Sequence, residues 1–129
     1  MSSVSTQRPQ GQLLDWATEA AISASRPDRN GDPIVDKATV NNLLVFLQSR
    51  RSVDDLMAYI IRQGSREEID EQTAKLLLKY VKGLELKDAL TFLGYFKWIY
   101  EGLTGELRVD RGKLKNVKTF KGLVDVLAS

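Results

Sequence analysis

The stretch of residues 86–103 constrains this chain most strongly, because apolar side chains occur on nearly every side of the helix that it predicts. Leu86, Leu90 and Leu93 recur at helical spacing. Five of the chain's ten aromatic side chains also lie here, namely Phe92, Tyr95, Phe96, Trp98 and Tyr100. Such a helix cannot present one polar face to water. It is therefore predicted to be the central helix of a bundle, or a helix with a second buried face.

Hydrophobic residues at helical spacing predict four helices before this stretch and a short one after it. The predicted spans are residues 12–25, 33–49, 53–64, 66–81 and, after the aromatic stretch, 119–127. A chain of 129 residues is long enough for one core. The predicted fold class is therefore all-α, a bundle of five to six helices.

Capping residues predict where these helices begin and end. Asp32 with Pro33 at the first helical position opens the second helix, and Ser52 opens the third. The capping box of residues 65–68, Ser-Arg-Glu-Glu, opens the fourth helix, and Gly83 ends it. Because a short link follows, we expect the fourth and central helices to be near-antiparallel neighbours.

The chain divides into three predicted parts. Residues 1–11 form an extended, flexible arm, residues 12–106 form the helical bundle domain, and residues 107–129 form a basic segment that packs on the bundle. Residues 107–118 alternate like a β-hairpin, while Leu114, Val117 and Phe120 also fit helical spacing. The sequence therefore leaves a hairpin, a loop and a helix open for this segment.

The residue types present exclude several kinds of chemistry. The chain contains no histidine and no cysteine, which removes the commonest general base, thiolate nucleophiles and the usual zinc ligands. Paired carboxylates occur at residues 54–55, 67–68 and 70–71, each in the first turn of a predicted helix, where capping explains them. We therefore expect no enzyme activity, no catalytic residue, no metal, no cofactor and no small-molecule substrate.

The hydropathy of the chain predicts no contact with a membrane. No apolar run approaches the roughly 18 residues of a transmembrane helix, and residues 1–11 lack the apolar core of a signal peptide. A cytoplasmic location is expected.

Basic residues are concentrated towards the C-terminus. The net charge is only +2, but the last 23 residues hold six basic and two acidic residues. This asymmetry is typical of a chain with a polyanionic partner, and clustered Lys and Arg neutralise phosphates without reading bases. A solvated surface is the alternative that the residues leave open. The candidate nucleic-acid-binding residues are Arg50, Arg51, Lys75, Lys79, Lys82, Lys97, Arg108, Arg111, Lys113, Lys115, Lys118 and Lys121.

The aromatic side chains predict an interface with other subunits. If the second face of the aromatic helix is not covered by its own chain, it leaves an exposed apolar patch, and such patches mark protein interfaces. Stacking of Tyr95 and Trp98 on nucleic-acid bases is the alternative. The candidate interface residues are Trp16, Tyr95, Trp98 and Tyr100.

Residues 34–103 resemble the small helical subunits of CRISPR effector complexes of the Csm, Cmr and Csa kinds. The likeness lies in the helix layout and in two segments: residues 73–81, TAKLLLKYV, and residues 88–100, DALTFLGYFKWIY. The resemblance implies a non-catalytic subunit of an antiviral ribonucleoprotein that stacks in a homo-oligomer beside other subunits. It also implies a basic groove for the target or displaced strand, with Lys75, Lys79, Lys82, Lys97, Arg50 and Arg51 as candidates.

Two alternatives to this interpretation remain open. The first is a major coat protein of a filamentous archaeal virus, a class of helical proteins of similar length that wrap DNA. The second is a small helical adaptor that binds only proteins, for which the basic tail would be incidental. The sequence does not decide between RNA and DNA.

Overall fold

The computed structural model describes residues 8–129, which form six α-helices and one short 3-10 helix. These are α1 Gln10–Ala24, α2 Lys37–Arg50, α3 Val53–Ser65, α4 Glu71–Val81, α5 Leu86–Thr104, the 3-10 helix Arg111–Leu114 and α6 Phe120–Ala128. The all-α prediction is confirmed with six α-helices. Within the described residues there is no hairpin at 107–118, where an extended stretch leads into the 3-10 helix.

The core is built around α5, which packs chiefly against α1 and then against α2. The side of α1 that faces the core carries alanines, including the buried Ala17 and Ala21, and their small size lets the two helices approach closely. From α5, Phe92 and Phe96 are buried with ring centroids 6.4 Å apart. The small alanines of α1 therefore accept the bulk of the aromatic helix.

The predicted pairing of α4 with α5 is wrong. Helix α4 packs against α3 and α1. It meets α5 where Tyr80 contacts Phe92 edge to face, at 6.2 Å between ring centroids. The short link after Gly83 brings the end of α4 close to the start of α5. Along the rest of its length α5 packs chiefly on the alanine face of α1 and not on α4.

The predicted start of α2 is also wrong. The N-cap is Asp36, whose carboxylate accepts a hydrogen bond from the Thr39 amide at 2.8 Å. Asp32 belongs instead to a turn in which the carboxylate of Asp28 accepts the amides of Asn30 and Asp32. The loop satisfies its own backbone groups, so the helix begins at the next aspartate.

The capping box at residues 65–68 does not open α4. Ser65 ends α3, and Glu67 then adopts a left-handed conformation with φ of 61°. Asp70 is the N-cap, and its carboxylate accepts the Thr73 amide at 3.2 Å. By contrast Ser52 caps α3 as predicted, accepting the Asp55 amide at 3.1 Å.

The two ends of the described chain are both attached to the bundle. Residues 1–7 of the predicted arm lie outside the described residues, and α1 begins at Gln10, within the span assigned to the arm. The backbone amide of Arg8 donates to the buried carboxylate of Asp88 at 2.7 Å. At the other end, α6 packs on α1, and the Phe120 amide donates to Asp15 at 2.9 Å. The C-terminal segment therefore lies along α1.

Candidate nucleic-acid interface

A groove runs over α1, between α4 on one side and residues 111–118 on the other, and encloses a cavity of about 330 Å³. We call it the α1–α4 groove. Helix α1 and the loop after it supply the floor, and α4 and the C-terminal segment supply the walls. Its lining residues are Glu19, Ile22, Ser23, Arg26, Pro27, Gln72, Leu76, Arg111, Leu114, Lys115, Val117 and Lys118.

Polar contacts fix α4 against α1 along the floor of the groove. The hydroxyl groups of Ser23 and Thr73 form a buried hydrogen bond of 2.7 Å, and the Gln72 amide nitrogen donates to Ser23 Oγ at 3.1 Å. Two helices with small, hydrogen-bonded residues at the contact approach closely without burying an unsatisfied hydroxyl. These hydrogen bonds of Ser23 with Thr73 and Gln72 therefore set the spacing between α1 and α4.

Tyr80 lies outside the groove lining but holds one lining residue, Glu19. Its hydroxyl donates to the carboxylate of Glu19, and its ring stacks on Trp16 with centroids 4.9 Å apart. Burial, and then the neighbouring Glu19 carboxylate, raise the pKa of Tyr80 above its ordinary value. The phenol therefore stays neutral and continues to hold Glu19, the one acid among the lining residues.

Two guanidinium groups meet at the opposite end of the groove. Arg26 donates from Nε to the Ser23 carbonyl at 2.8 Å and is ion-paired with Asp70 at 2.5 Å. Arg111 donates to Ser25 Oγ at 3.0 Å and to the Ile22 carbonyl at 3.1 Å. Both arginines thus satisfy groups at the C-terminal end of α1, where the helix dipole is negative.

Arg111 is a cation without an anionic partner in the described part of the chain. Burial, and then the positive charge of Arg26, lower the pKa of Arg111 from its ordinary value. Arginine nevertheless keeps its proton in proteins. An anion entering this end of the groove would therefore be attracted to the positive charge of Arg111.

The remaining lining cations increase this positive charge. Lys115 and Lys118 are exposed at the rim and form no ion pair within residues 8–129. With Arg111 and with Arg26, which is paired with Asp70, they give four cationic lining residues beside the acidic Glu19. The structure thus brings together three candidates from the C-terminal segment and Arg26, which sequence reasoning missed. Arg26 lies at the end of α1, directly before Pro27. That position in the sequence indicates an arginine that can bond the last carbonyls of the helix.

The other predicted cations lie outside the groove lining. Arg50 is ion-paired with Asp55 at 3.0 Å, and Lys75 is ion-paired with Glu71 at 3.0 Å. The Lys79 amine lies 5.4 Å from the Tyr80 ring centroid. The rest are spread over the surface: Arg51, Lys82, Arg108, Lys113 and Lys121 are exposed, and Lys97 is half-buried.

The predicted interface residues divide into buried and exposed groups. Tyr100 is 1% exposed, and its hydroxyl donates to the Val35 carbonyl at 2.5 Å, so its assignment to an interface is wrong. Its position on the α5 stripe that packs into the core explains the error. Trp16 is half-buried under Tyr80. Trp98 is 72% exposed, with Tyr95 beside it at 6.4 Å between ring centroids.

In residues 8–129 no three acidic side chains converge as a metal ion would require. None of the helices in that part of the chain is long and apolar enough to cross a membrane.

No protein-family profile matches the chain, and a search of curated protein sequences finds no significant similarity. The geometry of the groove is therefore the feature that bears on the function of this chain.

Proposed function

We propose that this chain is a non-catalytic structural subunit that binds the phosphate backbone of a nucleic acid through the α1–α4 groove and the basic C-terminal segment. The observation that carries the proposal is the convergence on one groove of Arg111, Lys115 and Lys118, three cations that form no ion pair within residues 8–129. Unpaired cations held together in this way can neutralise phosphates without first breaking an existing ion pair.

Ion pairing separates Arg111, Lys115 and Lys118 from several other cations of the chain. Arg26, like Arg50 and Lys75, already has a carboxylate partner. Arg50 and Lys75 each have a carboxylate within 3.0 Å, so binding a phosphate there would require breaking an existing contact. Lys115 and Lys118 form no ion pair within residues 8–129, so none has to be broken there. The C-terminal segment therefore carries most of the proposed affinity. Sequence-independent binding follows, because Lys and Arg contacts to phosphate do not read bases.

Assembly with further copies of the chain is the second part of the proposal. Trp98 exposes 72% of its surface on α5, and a large aromatic side chain left in water is typical of a protein interface. Trp98→Ala is expected to reduce self-association measured by sedimentation velocity, while Tyr59→Ala, a substitution in the α2–α3 stack with Phe46, is the control. A wild-type chain that sediments as a monomer at every concentration would contradict this part.

The CRISPR resemblance gives the proposal its most specific form, a small subunit that stacks along a ribonucleoprotein. Purification of the chain and measurement of its mass and 260/280 absorbance ratio test that form. Short stacks that co-purify with RNA support it. Long filaments that contain DNA would favour a viral coat protein, and a monomer that ignores polyanions would favour the adaptor.

Salt-dependent binding tests the groove itself. The affinity for a labelled oligonucleotide is measured by fluorescence anisotropy across a salt series, for wild type and for Lys115→Gln with Lys118→Gln. Loss of two phosphate contacts should reduce the slope of log K against log salt by about 1.4 for a single strand and about 1.8 for a duplex.

The matched control removes two lysines elsewhere. Lys37 and Lys87 are exposed and lie outside the groove lining, so Lys37→Gln with Lys87→Gln has the same net charge as the groove variant. The control should keep the wild-type slope. If both variants lose the same affinity, net charge alone governs binding and the groove is not the site.

A further inference from the structure

We infer that the α1–α4 groove accommodates one unpaired base of a single-stranded nucleic acid, so that single strands bind more tightly than duplexes. This inference rests on the proposed function and names the class of ligand for the same site. It depends on a feature that phosphate binding alone does not require, the apolar interior of a groove with a cationic rim.

The interior of the groove is formed by aliphatic side chains from three parts of the chain. Ile22 comes from α1, Leu76 from α4, and Leu114 and Val117 from the C-terminal segment. Leu114 is buried, and the other three are half-buried. A surface that only tracked phosphates would gain nothing from apolar side chains, whereas the flat face of a base loses water favourably against them.

The size of the cavity fits one such group. A volume of about 330 Å³ lies at the lower end of the range of about 300–1,000 Å³ for sites that hold small molecules. A duplex keeps its bases paired and stacked, and it is read by protein elements that protrude into its grooves. A concave site offers no such element, so a duplex would contact the rim cations and leave the aliphatic interior empty.

The rim cations place the strand's charge beside the same cavity. Arg111 at one end and Lys118 at the rim line the cavity together with Leu76 and Val117. A phosphate at Arg111 therefore leaves its own base next to the aliphatic surface. Guanidinium planes also stack on unpaired bases in single-strand recognition.

The groove carries few groups that would select a particular base. Ser23 and Gln72 are its uncharged polar lining residues, and the Ser23 hydroxyl is already bonded to both Thr73 and Gln72. Base identity is read by hydrogen bonds to base edges. The preference is therefore expected to be for any unpaired base and not for a sequence.

A comparison of ligands on the unaltered protein tests this inference without any change to the fold. Anisotropy is measured with a labelled oligothymidylate, with a strand of equal length that has abasic sugars throughout, and with a duplex of equal phosphate number. Stacking of one base on an aromatic side chain contributes at least about fivefold in affinity, and we expect the aliphatic lining of this groove to contribute about that minimum. Oligothymidylate should therefore bind about fivefold more tightly than the abasic strand and more tightly than the duplex.

Two leucine variants locate the effect. Leu76→Ser removes an aliphatic wall of the groove, whereas Leu78→Ser changes a half-buried leucine of the same helix that does not line it. The first should abolish the difference between oligothymidylate and the abasic strand, and the second should retain it. Circular dichroism checks that each variant is folded. If Leu76→Ser does not fold, the comparison of the three ligands on the wild-type protein decides the inference.

The alternative outcomes separate the two proposals. Equal affinity for all three ligands, with the expected salt dependence, would overturn the base-binding inference and leave the phosphate-binding function standing. Failure to bind any of them would overturn both. A polyglutamate chain that competes as well as oligothymidylate would show a site for acidic peptides, which also contradicts the inference.

Discussion

Tyr100→Phe removes a single oxygen atom from the centre of the fold. The side chain is 1% exposed, and its hydroxyl donates to the Val35 carbonyl at 2.5 Å. The variant keeps the ring but leaves the Val35 carbonyl without its hydrogen-bond donor. A buried acceptor that lacks a partner lowers the stability of the folded protein by about 1–3 kcal/mol. We expect the free energy of unfolding at pH 7 to fall by this amount.

The same hydroxyl predicts how stability changes at alkaline pH. Burial, and then the negative charge of Asp36, raise the pKa of Tyr100 from 10.0 to about 12. The unfolded chain therefore loses the phenolic proton near pH 10, while the folded chain keeps it until about pH 12. The stabilisation is complete below pH 10 and is lost between pH 10 and 12, at up to about 1.4 kcal/mol per pH unit. Phenylalanine has no such proton, so the two proteins should converge in stability over this window.

Urea unfolding followed by tryptophan fluorescence measures both effects, at pH 7 and at intervals from pH 9.5 to 11.5. Titration of lysines affects both proteins equally and cancels in the difference. Tyr59→Phe is the matched control, because its half-buried ring stacks on Phe46 and its hydroxyl makes no hydrogen bond within the described residues. It should change stability by less than about 0.5 kcal/mol. A Tyr100→Phe protein with wild-type stability at pH 7, and a constant difference up to pH 11.5, would refute the reasoning.

Thermal and urea unfolding check the remaining predictions. A Cβ at Gly94 or at Gly83 meets no atom within 4 Å, yet the two substitutions to alanine should differ in sign. Gly94→Ala lies inside α5 and should stabilise by about 0.5–1 kcal/mol, whereas Gly83→Ala has φ of +81° and should destabilise by about 1–2 kcal/mol; equal effects would contradict this. Ser52→Ala removes one helix cap and should cost about 1 kcal/mol. Asp70→Ala removes a cap and the ion pair with Arg26, so it should cost more, and equal losses would show that the ion pair contributes nothing.

Helices were predictable from the sequence where one local signal dominates. The α5 stripe, the Ser52 cap and the glycine after α4 each identify an element or a boundary. The starts of α2 and α4 were missed because two candidate caps compete within a few residues. Asp36 caps α2 because Asp32 is already part of the turn closed by Asp28. Asp70 caps α4 because Glu67 adopts the left-handed conformation that ends α3.

The groove was only partly predictable. A run of basic residues at the C-terminus is visible in the sequence, but its alignment along α1 depends on contacts more than 80 positions apart, such as Arg111 with Ser25. The same limitation applies to Tyr100, whose aromatic character fits an interface and a core equally well. Its burial follows from its place on the packed side of α5.

The attachment of α6 affects how the groove should move. This nine-residue helix buries Leu123 and packs chiefly against α1 and the 3-10 helix, so its free energy of local opening should be among the smallest of the six helices. Amide hydrogen exchange is then expected to be faster in α6 than in α1. Because α6 follows directly from the C-terminal wall, a bound strand that bridges both walls should slow exchange in α6, including at amides that it does not touch.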